Sequence, residues 1–436
     1  MSFQSSPLAV RNMSHLGRDA RSTPSDPQDS SPPSKDQSLI LSLKRRIEAL
    51  EDENERLKGS KNPKPKSIKS LGCPIRKVAA LFSSINSLAQ EYERCCDPDS
   101  QAEDDELSDV DTAQLNEVEH EEYEQRLELK QSRDRDYESF GLMCEYVPYI
   151  KKKIYSRDVN HTELQADYTP LESGANAVCS EDIHNGAAEL ADWLNQRKPQ
   201  PLIDWHSRLG RGFIHDLTDR LLCPIDFDWD DFVIRTEICA VGRRSVVKDS
   251  TAPFFLSFLY HNEAGDVQNP LKGWLQGPLL VKMIVFLFKS ASSVGKEIVD
   301  NEIINQSSDE ENVGPLLPSP GASAHSGKRR KSTKKTVSQL WNITYVSPRM
   351  IAYAATLLHL ILSDGPAWGA DDSFPYESFY NAIVDFFEDV ETGSEDEVWN
   401  KRLLAWWTRT VYTSDDANAP LSMHPLKDFK NTIRNH

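Results

Sequence analysis

Four carboxylates stand within six residues at Asp226-Phe227-Asp228-Trp229-Asp230-Asp231. Oxygens this dense can hold a hard cation or act as acid and base. The plainer reading is a solvated turn. Metal and nucleophile chemistry need other spacings. Cys95-Cys96, Cys179 with His184, and Cys223 with Cys239 form no ligand-spaced pairs, and His206 and His215 stand far apart along the chain. Cys223 follows an apolar helix end and reads as a small buried residue rather than a nucleophile. Gly321 to Lys328 imitates a phosphate-binding loop but carries one residue too many between Gly321 and Gly327. Arg329 also stands where a Ser or Thr should meet magnesium. Trp406-Trp407 and the aromatic face of residues 376–390 read first as core and second as a partner groove. No catalytic, cofactor-binding or metal-ligating residue is therefore expected, and no cofactor.

The other chemistry-bearing run is basic: Lys328, Arg329, Arg330 and Lys331, then Ser332 and Thr333, then Lys334 and Lys335. It matches a nuclear-localisation-type cluster that an import receptor would read. Direct nucleic-acid contact is a weaker alternative. Its six cations displace roughly six counterions, no aromatic residue interleaves them for stacking, and the whole chain carries −18. Ser307-Ser308 before Asp309-Glu310-Glu311, and Ser332/Thr333 themselves, are candidate phosphorylation sites that would offset the basic charge.

One segment has an assembly role legible from its spacing. In residues 34–59, Ile40, Leu43, Ile47, Leu50, Asn54 and Leu57 occupy alternating a and d positions of a heptad. Ile at a with Leu at d specifies two parallel strands, and the lone Asn at a fixes their register. Between chains, Arg46 would meet Glu51 and Glu53 would meet Lys58, both attractive. The segment predicts a homodimer through a short coiled coil. A surface helix packed on its own domain is the alternative. A DNA-reading zipper is excluded, because residues 20–36 are broken by four prolines and carry little charge where a basic helix is needed.

The chain has 436 residues, 38% hydrophobic, with seven cysteines lacking CxxC spacing. That composition predicts mixed order and disorder with reduced thiols. No secretory h-region opens the sequence, and its apolar runs are shorter than the roughly 18–20 residues that span a bilayer. No membrane partner is expected. The expected location is intracellular, nuclear rather than cytoplasmic.

The organisation reads as a disordered tail (1–33), the coil (34–59), a linker (60–72), and a charge-rich helical region (73–155) with an acidic linker at 97–114. A helical domain follows (180–415), interrupted by a disordered insert (305–336). Helical stripes are expected over Cys73–Arg94, from near Leu115 towards Met143, and over Ala187–Arg197. Within Asp204–Cys223 another stripe joins Ile214, Leu217, Leu221 and Leu222. Further helices are expected over Leu279–Phe288 (apolar nearly all round), Arg349–Ser363, Tyr376–Val390 and Glu397–Tyr412. Phe232–Val247 and Thr336–Val346 are the best strand candidates. The fold class is mainly α: a short N-terminal coiled coil plus an irregular helical domain, with long disordered segments.

Several stretches act as a set: Arg211-Gly212-Phe213 with Leu221-Leu222-Cys223-Pro224, then Leu279–Val294 ending Ser290-Ala291-Ser292-Ser293, then Ile351-Ala352-Tyr353. Phe374-Pro375-Tyr376-Glu377-Ser378-Phe379-Tyr380 and Leu403-Leu404-Ala405-Trp406-Trp407 complete it. Over about residues 200–412 they resemble an uncharacterised domain-of-unknown-function family expanded in mushroom-forming fungi. The pattern departs around Pro253–Tyr260, where extra residues precede Phe258-Leu259-Tyr260. The resemblance implies no activity and no site residues. The expected function is a non-enzymatic, dimerising protein-interaction module with unknown protein partners. The alternative is a nucleic-acid-associated nuclear protein using the loop 328–335.

Overall fold

A computed structural model describes residues 67–96, 115–154, 161–241, 255–295, 335–365 and 374–412, with the side chains of 237–241 left aside. All of these belong to the second of two units, Lys66–His436. The expected coil residues Ile40 to Leu57 belong to the first, Met1–Pro65, and lie outside the described residues. Lys328, Arg329, Arg330, Lys331 and Lys334 also lie outside them; Lys335 is described and exposed.

Ser67 accepts from the Ser70 amide and opens α1 (Ile68–Leu71). Next comes α2 (Ile75–Val78), whose four residues are all buried, Arg76 and Lys77 included. The stripe expected to run unbroken from Cys73 to Arg94 is interrupted after Val78. There Arg76 donates to the carbonyls of Ala80 and Ser83, and Ser84 accepts from Ser87 to start α3 (Ile85–Cys95). α4 (Glu117–Tyr146) begins with a capping box between Asn116 and Glu119. Its buried residues lie only at Ser139–Cys144, and α5 (Pro148–Ile154) follows.

α6 (His161–Asn195) is much longer than the Ala187–Arg197 helix expected from sequence, and it runs through Pro170. α1 crosses it in backbone contact. A Cβ on Gly174 would stand 1.8 Å from the Lys69 carbonyl oxygen, and one on Gly72 2.0 Å from that of Leu171. Only glycine permits that approach. One apolar core gathers Ile75, Ile85, Leu88, Phe140, Met143 and the N-terminal part of α6.

The larger core is built by the C-terminal part of α6 and five later helices: α7 (Asp216–Leu222), then α9 (Pro278–Phe288), α11 (Pro348–Leu362), α12 (Tyr376–Glu388) and α13 (Glu395–Val411). Ser347 caps α11 and Pro348 occupies its first position, after which every residue from Arg349 to Leu362 is buried. α11 packs against α12, α9, α6 and α2 and is the axis of the domain.

Neither strand candidate forms a strand among its described residues, and residues 242–247 lie outside them. Over Phe232–Val247 the observed element is α8 (Phe232–Val241), begun where Asp231 accepts from the Val233 amide at 2.7 Å. Over Thr336–Val346 it is α10 (Val337–Trp341), which opens on a Thr336/Gln339 capping box and closes at Asn342 with φ 54°. In both, a capped first turn outweighs β-rich composition. The described residues hold no strand, only the isolated antiparallel bridge Pro224–Leu256. The fold is mainly α. Among the described residues no helix is long and apolar enough to cross a membrane.

Candidate interaction surface

The chemistry-bearing residues of the sequence occupy separate places. Asp228 accepts from the Asp230 amide at 2.9 Å, Asp231 caps α8, and Asp230 pairs with Arg220 at 2.6 Å. The acidic run is a solvated, self-bonded turn. Burial pushes the Cys223 thiol up to about 12, so it stays protonated at neutral pH. His184 meets the edge of Trp205, and Trp406 and Trp407 are core residues. Among the described residues no group of three His, Cys, Asp or Glu is placed to hold a metal ion.

A polar cleft lies between the residues after α2, α4 and α12, lined by Ser83, Arg135, Asp136, Arg349, Tyr380 and Asn381. Its volume is about 20 Å³, room for about one water. Ion pairs also tie the N-terminal elements to α6 and α12. Lys77 meets Asp182 at 2.7 Å, Arg135 meets Asp385 at 2.8 Å, and Arg76 bonds Glu172. Asp182 also accepts from the buried Tyr353 hydroxyl at 2.8 Å.

A different region presents itself to solvent. Residues 201–215 form a loop whose ends meet: His215 Nε2 donates to the Pro201 carbonyl at 2.8 Å while its Nδ1 accepts from the Leu217 amide, capping α7. The two partners fix the proton on Nε2. Asn195 clamps Ile203 from both sides, accepting from its amide at 2.8 Å and donating to its carbonyl at 2.9 Å. Arg211, buried, donates to the Ile361 carbonyl in the last turn of α11 and to the Asp204 carbonyl, each at 2.8 Å. Burial, reinforced by neighbouring Arg208, pushes its guanidinium down to about 10, still cationic at neutral pH. Arg208 donates to the Gly365 carbonyl at 3.1 Å.

The loop is thus pinned on its inner side at Ile203, Arg211 and His215. Its outer side exposes apolar side chains along with Asp204 and His206. Leu202 is 62% exposed, Leu209 81% and Ile214 70%, and beside them Phe232 is 70% and Val233 59% exposed at the start of α8. Ile214 was expected on the α7 stripe with Leu217, but the helix starts only after His215, which leaves Ile214 outside it. Sequence reasoning missed this surface. Its one visible signal was apolar residues scattered through a Gly- and Pro-containing stretch that keeps no helical period.

The described residues form a mainly α-helical body whose loop 201–215 is held by hydrogen bonds and exposes Leu202, Leu209 and Ile214. The chain belongs to the family of unknown function DUF6698, whose model matches residues 173–412. No curated protein matches it, and no solved structure does.

Proposed function

We propose that the protein is a non-enzymatic, dimerising protein-interaction module. In this reading the heptad residues Ile40, Leu43, Ile47, Leu50, Asn54 and Leu57 supply valency, and the helical body supplies the recognition surface. The observation that carries it is the loop 201–215, held by His215, Asn195 and Arg211 yet turning Leu202, Leu209 and Ile214 to solvent. A surface already ordered before binding loses less entropy on association, and exposed contiguous apolar area marks contact sites. Light scattering on the full chain and on a chain beginning at Ser60 tests the coil. The longer chain is expected to have twice its monomer mass and the shorter one to lose that doubling. Equal association states would sink the coil as the dimer element.

The second reading is a nucleic-acid-associated nuclear protein using Lys328 to Lys335, with an import receptor as a further partner. It draws on the density of six cations in that run, the last of which, Lys335, is exposed. Binding to a duplex would weaken with salt along a slope of roughly six counterions. A slope near zero, or no binding, would remove it. The family's expansion in mushroom-forming fungi rests on the sequence resemblance alone.

A further inference from the structure

We propose that His215 is a pH-sensitive latch: while neutral it joins the two ends of the loop 201–215 and caps α7, and a second ring proton releases both. The inference concerns the loop's own conformation and stands whatever the loop contacts.

The latch is one buried ring with two fixed tasks. Its Nε2 donates to the Pro201 carbonyl at 2.8 Å, and its Nδ1 accepts from the Leu217 amide at 3.1 Å. Helix caps are ordinarily Ser, Thr, Asp or Asn oxygens, and a Ser or Asn oxygen accepts whatever the pH. An imidazole nitrogen accepts only while it carries no proton, because imidazolium donates from both nitrogens. The added proton on Nδ1 would face the Leu217 N–H head-on. Histidine is the side chain whose ordinary charge change falls between about pH 5 and 8. The ring is rigid, so turning Nδ1 off the amide also draws Nε2 away from Pro201.

The surroundings keep the release local. The Asp219 amide and the Thr218 hydroxyl both donate to the His215 carbonyl, and that hydroxyl also donates to Gly212, so α7 stays in place. The pins at Ile203 and Arg211 rest on a neutral amide side chain and a guanidinium that stays cationic.

The charged groups nearby do not cancel the effect. Asp216 follows His215, and Asp219, one turn on, feels the charge of the ring. An ionised Asp219 favours imidazolium. Burial raises that carboxyl to about 6, so it takes up a proton itself as the pH falls and stops offsetting the cation. Arg220 is turned to Asp230. In the loop, Arg208 and Arg211 are turned to carbonyls, Asp204 accepts from the His206 amide, and the His206 ring lies on Trp205. On α11, which packs on α7, Arg349 is turned to Glu388, Tyr353 to Asp182, and His359 stacks on Phe374. The turn Ser257–Leu259, also against α7, carries no ionisable side chain.

The test is hydrogen exchange by mass spectrometry on the full chain at about pH 7.5 and about pH 5, corrected for the intrinsic effect of pH on exchange. Protection over residues 202–217 is expected to fall about fivefold at the lower pH, the size of a lost cap. α11 is expected to keep its protection. His215→Asn caps α7 with an oxygen that does not titrate, so its loop should be equally protected at both pH values. Asp219→Asn should retain the native response. Protection indifferent to pH overturns the proposal, as does a response that survives His215→Asn or vanishes in Asp219→Asn. A loss that spreads equally to α11 is acid unfolding of the whole body and overturns it too. That last comparison needs only the native chain, so it decides the matter even where His215→Asn fails to fold.

Discussion

The carboxylate of Glu388 accepts two hydrogen bonds from the buried guanidinium of Arg349, at 2.8 and 3.0 Å. The same guanidinium donates to the Ala79 carbonyl and the Ser139 hydroxyl. One side chain of α11 thus ties α12, α4 and the residues after α2 to a single point. Burial works against its charge and Glu388 more than offsets that, so Arg349 stays cationic. Removing one member of a buried pair leaves the other uncompensated, at a cost of about 3–5 kcal/mol. Arg349→Met is expected to destabilise the protein by that order in urea unfolding. Arg349→Lys should recover little, because an ammonium cannot reproduce the bidentate fork. A loss under about 1 kcal/mol for Arg349→Met would show that the network adds nothing net.

The family match begins at residue 173, yet the larger core includes Val78 and Leu81. Asp182 meets Lys77, and Arg349 meets Ala79 and Ser139, all through residues before that boundary. α6 itself runs unbroken across residue 173. A fragment of residues 173–412 would open the apolar face beneath α2 and strand buried charges. It is expected to lack the near-ultraviolet circular dichroism of fixed Trp packing and to bind a hydrophobic dye. A chain from Lys66 onward should show native packing. A well-folded 173–412 fragment would refute the idea that residues 67–154 complete the larger core.

Gly174 makes a separate test of that junction. Overpacking a close contact costs about 1–3 kcal/mol, and a methyl at Gly174 meets the Lys69 carbonyl oxygen head-on. Gly174→Ala is expected to fall in this range by chemical denaturation and to raise amide exchange across Ile68–Leu71. Ala is the better helix former by close to 1 kcal/mol. A stabilised variant would therefore mean that α1 does not press on α6.

Helices α12 and α13 were legible because their apolar residues recur at helical spacing, α9 because it is a long apolar run opened by Pro278, and α11 because Ser347-Pro348 marks its start. α6 was largely illegible. Pro170, Gly174 and Gly186 read as breakers in isolation, but two of them mark places where another element comes close: Lys69 at Gly174, and Ile361 at Gly186. α8 was misread because Phe232-Val233-Ile234 is β-rich, while the cap at Asp231 decides the backbone. The exposed apolar residues of the loop 201–215 were legible only as a stretch that keeps no helical period. Sequence names apolar residues but not which of them lack a tertiary partner, and Ile214 shows this: one residue before the helix cap, it leaves the core entirely.

Asp219 gives the clearest pH dependence. It is 3% exposed in the middle of α7, and burial raises its carboxyl to about 6, against the opposing hydrogen bond from the Arg220 amide. An unfolded aspartate titrates near 3.9. Between about pH 4 and 6 the folded chain therefore holds a proton that the unfolded chain has lost, and stability falls as pH rises through that window. Above it the full penalty remains, on the order of 3 kcal/mol from the size of the shift. Asp219→Asn keeps an oxygen for the Arg220 amide and removes the titration. The variant is expected to match the native protein near pH 4 and to exceed it by about that amount at pH 7, measured by urea unfolding at a series of pH values. A difference that stays constant across the series would mean that Asp219 is ionised throughout, with its charge met by the dipoles around α7.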